Sequence, residues 1–224
     1  MSVITGLATA IVIVALAILP FLTPQWVAFE QGRSDAAGWT GFTTVELEAA
    51  TGSILSDLVF GPPAFDGAVR GQVVLNERER GHMRDVRTVF TGLFVLAAGS
   101  VVVLLAASRR VDRPRTWRAV RRGAVGLAVG IVALGAVALV AFDALFETFH
   151  ELLFPPGSYD FDPATERLVQ LFPFQFWQET AVVVGVLILA GCAVVAVFAG
   201  PRARSTRTGE AAAAELAAAR GTIP

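Results

Sequence analysis

The chain has no lysine, one cysteine and two histidines. Each scarcity narrows the chemistry. A lone cysteine, Cys192, cannot close an intramolecular disulfide, and its place in an apolar run disfavours a thiolate. No serine or cysteine nucleophile accompanies the histidines, which argues against a covalent acyl-enzyme route. The HxxE and HExxH spacings of familiar helical metal sites are absent. No internal repeat is visible. The start of the chain lacks a basic leader, and the first apolar run ends in Pro20-Phe21-Leu22-Thr23-Pro24 rather than a small-residue cleavage site. It therefore reads as an uncleaved helix and not as a signal peptide.

Apolar residues, in contrast, are abundant. They make up 54% of the sequence, with mean hydropathy +0.63, where a soluble domain has about 45–50%. The excess falls in four charge-free runs, residues 3–22, 89–107, 124–142 and 181–199. A bilayer core of about 30 Å needs roughly 20 helical residues to cross it. A helix pairs its own backbone groups, which lipid does not do. The expected fold is all-α, a bundle of four transmembrane helices at about 3–22, 89–107, 124–146 and 180–199, forming a single membrane domain over residues 1–224. Gly126 and Gly130 have the small-xxx-small spacing that lets another helix approach.

The net charge of −1 hides an asymmetry. Residues 108–123 carry Arg109, Arg110, Arg113, Arg115, Arg118, Arg121 and Arg122, and the tail 201–224 carries Arg202, Arg204, Arg207 and Arg220. Short loops rich in arginine stay in the cytoplasm. Both chain ends and the central loop are thus expected inside, in a plasma membrane. The arginine loop reads as a topology signal that also touches anionic lipid, not as a nucleic-acid site. Residues 24–88 and 147–179 are then the outer segments, the first forming a small cap. Within it, Leu47, Ile54, Leu55 and Leu58 predict an amphipathic helix over 44–60, ended by Gly61-Pro62-Pro63. Residues 71–75 are β-prone. Asn76 and Glu79 form a capping pattern for a helix running unbroken into span two. Span three is expected to continue as a helix to about Leu152. Asp162-Pro163 predicts a short helix over 164–171. Phe172, Phe174, Phe176 and Trp177 fit an interfacial aromatic belt. The Ala-rich stretch 210–220 is expected to be helical.

Both histidines fall on the outer side, His82 just before span two and His150 just after span three. Antiparallel helices would bring them to similar depth. Glu79, His82 and Asp85 recur every three residues and share a face, and Asp143, Glu147, His150 and Glu151 form a second stripe. Ionisable groups at the edge of lipid are functional candidates, although helix ends above the headgroups would simply be solvated. An imidazole pair could supply a base and an oxyanion donor. Two His with Asp and Glu could instead hold zinc.

Four motifs carry a resemblance. Residues 79–87, Glu-Arg-Gly-His-Met-Arg-Asp-Val-Arg, resemble the E-x-x-H-M-x-D-V-K/R signature of a four-span bacterial membrane family that includes the lipoprotein intramolecular transacylases (Lit). Phe149-His150-Glu151 resembles its second histidine motif. Residues 161–173 resemble its block F-D-P-x-T-D-x-L-I-x-L-F-P, and Phe176-Trp177 the aromatic pair that follows. Glu166 departs from the family's usual Asp, Tyr159 stands near an expected Trp, and the cap has little that matches. These departures bear on substrate range more than on chemistry. The resemblance implies a cofactor-free, metal-free acyltransferase. It moves the sn-2 acyl chain of a diacylated lipoprotein onto the α-amine of the same N-terminal cysteine, and the partners implied are that lipoprotein and membrane lipid. His82 and His150 map onto the family's essential histidines. Glu79, Asp85, Arg84, Arg87, Glu147 and Glu151 are candidates to orient them or to contact substrate. The alternatives are a non-catalytic membrane scaffold or accessory protein and a metal-dependent membrane hydrolase.

Overall fold

The computed structural model describes residues 2–109 and 113–220, with side chains through Ala203. Of the expected basic loop and tail, Arg110, residues 221–224 and the side chains of Arg204, Arg207 and Arg220 lie outside the described residues. In chain order the elements are α1 (Ser2–Ile18) with a 3-10 turn (Leu19–Leu22), α2 (Pro24–Arg33), α3 (Ala36–Thr40) and α4 (Thr44–Val59). A hairpin of β1 (Ala68–Val69) and β2 (Gln72–Val73) follows, then α5 (Glu77–Ser108), α6 (Arg113–Leu153), α7 (Arg167–Leu171) and α8 (Phe174–Arg220).

Among the described residues, four stretches are long and apolar enough to cross a membrane: Ser2–Leu22, Glu77–Ser108, Arg113–Leu153 and Phe174–Ala203. Only 39, 6, 0 and 11% of their most apolar windows is buried within the protein. A water-soluble chain would not leave that much hydrocarbon exposed, so this surface belongs against lipid. The four runs read from the sequence all lie within these helices.

The fold divides into two compact units, residues 1–15, 96–132 and 187–224 in the first and residues 16–95 and 133–186 in the second. In the first, α1 and α6 meet backbone to backbone. A Cβ placed on Gly123 would lie 2.2 Å from the Gly6 carbonyl oxygen, so only glycine permits the approach. Among the described residues, neither Gly126 nor Gly130 makes the close approach expected of it, since neither has a neighbour within 4 Å of a Cβ position. Cys192 is buried here as a free thiol.

The second unit holds a core cluster of buried apolar side chains. α4 places Leu47, Ala50, Thr51, Ile54, Leu55 and Leu58 on its buried face, a spacing of three and four that suits a helix packed on one side. Thr43 and Glu46 cap it reciprocally. Val27, Phe65, Leu75, Met83, Leu171 and Phe176 complete that core. The hairpin pairs Ala68 with Val73, and its turn uses Gly71 at φ +76. α6 continues to Leu153 as expected, with a kink at Ala141, whose φ of −147 and ψ of 46 are not helical. One expectation needs correction. The helix expected over 164–171 begins only at Arg167, because Asp162 forms a turn. Its carboxylate accepts from the Ala164 N–H at 2.9 Å and from the Thr165 hydroxyl at 3.3 Å.

Candidate active site

α5 begins at a capping box. The Asn76 N–H donates to Glu79 Oε2 at 2.6 Å and the Glu79 N–H to Asn76 Oδ1 at 3.0 Å. The other Glu79 oxygen accepts from the Leu168 N–H at 2.6 Å. Glu79 is 1% exposed, so its carboxylate is a buried clamp between the first turns of α5 and α7. It orients neither imidazole directly. Arg78 extends the clamp outward. Its Nη2 donates to both Glu166 oxygens at 2.7 and 2.6 Å, and its Nη1 to the carbonyls of Asp160 at 2.7 Å and Gly157 at 3.3 Å. Its guanidinium also lies 4.6 Å from the centroid of the Phe161 ring. The Arg78 guanidinium holds the Glu166 carboxyl below the usual carboxylate range. Glu166 therefore starts α7 without capping it, since its carboxylate serves Arg78, Asn76 and the Asp162 N–H.

This scaffold fixes the segment 157–161 beside α5, and with it the aromatic side chains around the histidines. His82 lies one turn beyond Glu79 and is 6% exposed. Its ring faces His150 at 6.1 Å with an interplanar angle of 24°. Phe154 at 4.7 Å and Phe161 at 5.5 Å meet it edge-on. Around His150 stand Phe146 at 4.3 Å, Tyr159 at 5.2 Å, Phe149 at 5.3 Å and Phe154 at 5.5 Å. Both imidazoles thus sit in an aromatic box, where low polarity strengthens any hydrogen bond they make.

Their electrostatics differ. His150 Nδ1 lies 2.7 Å from the Phe146 carbonyl oxygen. A carbonyl only accepts, so Nδ1 carries the hydrogen and Nε2 of the neutral ring holds the lone pair. His82 Nδ1 is buried with no hydrogen-bond partner among the described residues. His82 precedes the charge-free run that starts at Val89. Burial, and then the proximity of His150, pushes its imidazole down to about 4, so it is neutral at physiological pH. An N–H at the orphaned Nδ1 would meet no acceptor, which favours the tautomer protonated on Nε2. Burial, and then the charges of Glu151, Glu147 and Asp160, raise the Tyr159 phenol.

The remaining candidates separate. Arg87 is taken up by the carbonyls of Asp57 and Gly61. Arg84 is shared between Glu77 and the Pro63 carbonyl. These arginines join α5 to the end of α4 and the loop after it. Asp85 is half-buried, and Asp143, Glu147 and Glu151 are exposed; none of the four has a hydrogen-bond partner among the described residues. Among those residues no three His, Cys, Asp or Glu side chains gather as a metal-ligating group. Sequence reasoning missed Arg78, Phe146, Phe154, Tyr159 and Phe161 as parts of the site. One signal was available, since Phe146, His150 and Phe154 recur every four residues and so share a helical face.

The family model of the lipoprotein intramolecular transacylase Lit matches residues 3–177. Among solved structures, the membrane-integral lipoprotein intramolecular transacylase Lit from Bacillus cereus superposes with TM-score 0.74 at 18% identity, covering 92% of this chain and 96% of that one. Variants of the same protein with one histidine replaced by arginine or by alanine superpose with TM-score 0.68, each at 18% identity. They cover 93% and 92% of this chain, and 92% and 94% of theirs. A comparison with curated proteins finds no match. The structural likeness speaks for the fold. The family model spans most of the chain, including both histidines and the Arg78–Glu166 clamp, and the chain belongs to the lipoprotein intramolecular transacylase family.

Proposed function

We propose that this protein moves the sn-2 acyl chain of a diacylglyceryl-cysteine onto the α-amine of the same cysteine, giving a lyso-form lipoprotein. The observation that carries this reading is the facing His82–His150 pair, held in an aromatic box in a member of this family. The substrate brings ester and amine in one molecule, so the enzyme must position them, move one proton and stabilise an oxyanion. The neutral amine attacks the sn-2 carbonyl carbon and a C–N bond forms. His150 Nε2 takes the proton that the nitrogen must lose. His82, neutral and protonated on Nε2, donates to the oxyanion. On collapse the C–O bond to the glyceryl sn-2 oxygen breaks, and the His150 imidazolium returns its proton to that oxygen. No water, nucleophilic side chain or cofactor enters the balance. Glu79 and Arg78 act as positioning residues through α5 and the 157–161 segment.

The arginine asymmetry supports an orientation with both termini in the cytoplasm and the histidines at the outer leaflet of a bacterial plasma membrane. Lipoproteins carry their diacylglyceryl anchor in that leaflet, within reach of the pair. The test is expression in bacteria that lack lipoprotein N-acylation, followed by fragment-ion mass spectra of N-terminal lipopeptides. An acyl-bearing α-amine is expected at unchanged total mass. Its absence with correctly inserted protein would sink the proposal. A phenotype insensitive to His82→Ala and His150→Ala would instead indicate a scaffold, and activity abolished by chelators a metal-dependent hydrolase.

A further inference from the structure

A groove within the unit formed by residues 1–15, 96–132 and 187–224 takes no part in the chemistry above. It encloses about 1070 Å³, enough for a large ligand, since small-molecule pockets run to roughly 300–1,000 Å³. Leu104, Leu105 and Val120 form apolar wall, while Trp117, Arg113 and Arg202 bring an indole and two cations to it. The two arginines differ in freedom. Arg202 is fixed, its guanidinium 5.4 Å from the Trp117 ring centroid and its Nη1 donating to the Phe198 carbonyl at 2.6 Å. Arg113 is exposed and has no hydrogen-bond or ion-pair partner among the described residues. The surrounding sequence, residues 108–123, is rich in arginine, with Asp112 as its one acid. Arg113 and Arg202 thus bring positive charge to an apolar trough, at the ends of helices whose sides suit lipid.

Those two features select different parts of one ligand. The guanidiniums match a phosphodiester, which they can grip with paired N–H donors. The aliphatic wall matches a hydrocarbon chain. We propose that this groove binds an anionic glycerophospholipid, with its phosphodiester between Arg113 and Arg202 and an acyl chain along Leu104, Leu105 and Val120. Basic pockets between membrane helices commonly hold such headgroups. A zwitterionic lipid would place its own cation among the arginines, and a free phosphate would leave the trough unused. The proposal does not depend on the acyl-transfer reading.

The experiment is native mass spectrometry of the full-length, delipidated protein with equimolar phosphatidylglycerol and phosphatidylcholine of identical chains. Phosphatidylglycerol adducts are expected to exceed phosphatidylcholine adducts by about tenfold. The Arg113→Gln/Arg202→Gln variant should lose the preference, and glycerol phosphate alone should give no adduct. Equal retention of the two lipids overturns the proposal, as does a preference the double variant keeps. Binding of glycerol phosphate as strong as that of the lipid reduces the site to an anion site and also overturns it. A second readout covers a variant that fails to fold. Phosphatidylglycerol with brominated chains should quench a fluorescence component that Trp117→Phe removes, and quenching unchanged in that variant contradicts the placement.

Discussion

At the scale of single residues, hydrogen bonding and burial separate two histidines that the sequence presents as equivalent. His150 is tied through Nδ1 to the Phe146 carbonyl, and only its Nε2 is free to take a proton. His82 is held neutral by burial, and the proposed reaction uses it as a donor. Conservative replacements should therefore split. Glutamine places an N–H near the imidazole Nε2 position, so His82→Gln should keep part of the activity that His82→Ala loses. His150→Gln, which has no base, should fall as far as His150→Ala. Losses of about 10²–10³ are expected for a missing oxyanion donor and about 10²–10⁴ for a missing base, read as rates on a synthetic lipopeptide. The buried state of His82 also sets a pH dependence. Its pKa of about 4 lies below the ordinary 6.5, so between those values the unfolded chain binds more protons than the folded one. Its contribution to stability is complete above about pH 6.5 and is lost as pH falls toward 4. Thermal melts in detergent should show a smaller loss over that window for His82→Gln than for the wild type. Little of this division was legible in the sequence. Spacing placed an acid near each histidine, but the nearest partners proved to be a backbone carbonyl and aromatic rings.

At the scale of elements, the site depends on the junction of α5, α7 and the 157–161 segment. Glu79 accepts N–H groups from both helix starts while almost fully buried. Removing it orphans those donors, and Glu79→Ala should lower stability by roughly 2–3 kcal/mol, measured by denaturation in detergent. Arg78 should behave differently, because it grips carbonyls and Glu166 at the protein's edge. Arg78→Lys keeps the charge but loses the fork. It should raise hydrogen exchange over residues 157–162 and lower activity while moving the melting temperature little. The capping box at Asn76 and Glu79 was readable because it is local, three residues apart. The reach of Glu79 to Leu168 was not, since it spans 89 residues of chain and exists only once α7 docks. The same holds for α7 itself. Asp162-Pro163 looks like a helix start, yet Asp162 closes a turn, and α7 starts only after Glu166, whose carboxylate Arg78 holds.

At the scale of the whole molecule, the membrane-spanning helices are the most legible feature, because a run free of charge over some twenty residues has few other uses in a folded chain. The arginine pattern adds an orientation. It is open to test with single cysteines, in a Cys192→Ser background, at Ser158 and Arg109. An impermeant maleimide added to intact cells should label the first and spare the second. The reverse pattern would put the histidines on the cytoplasmic side and remove the proposed substrate from their reach. One measurement reads the proposed acyl shift within one molecule directly. The purified protein would be given an equimolar mixture of two lipopeptides of different sequence, only one carrying a deuterated sn-2 chain, and the N-terminal fragment ions would be read. Deuterium is expected on the α-amine of the labelled peptide alone, with a free sn-2 hydroxyl on the same molecule. Deuterated chains on the other peptide, release as free fatty acid, or no transfer by protein that is folded and inserted would contradict it.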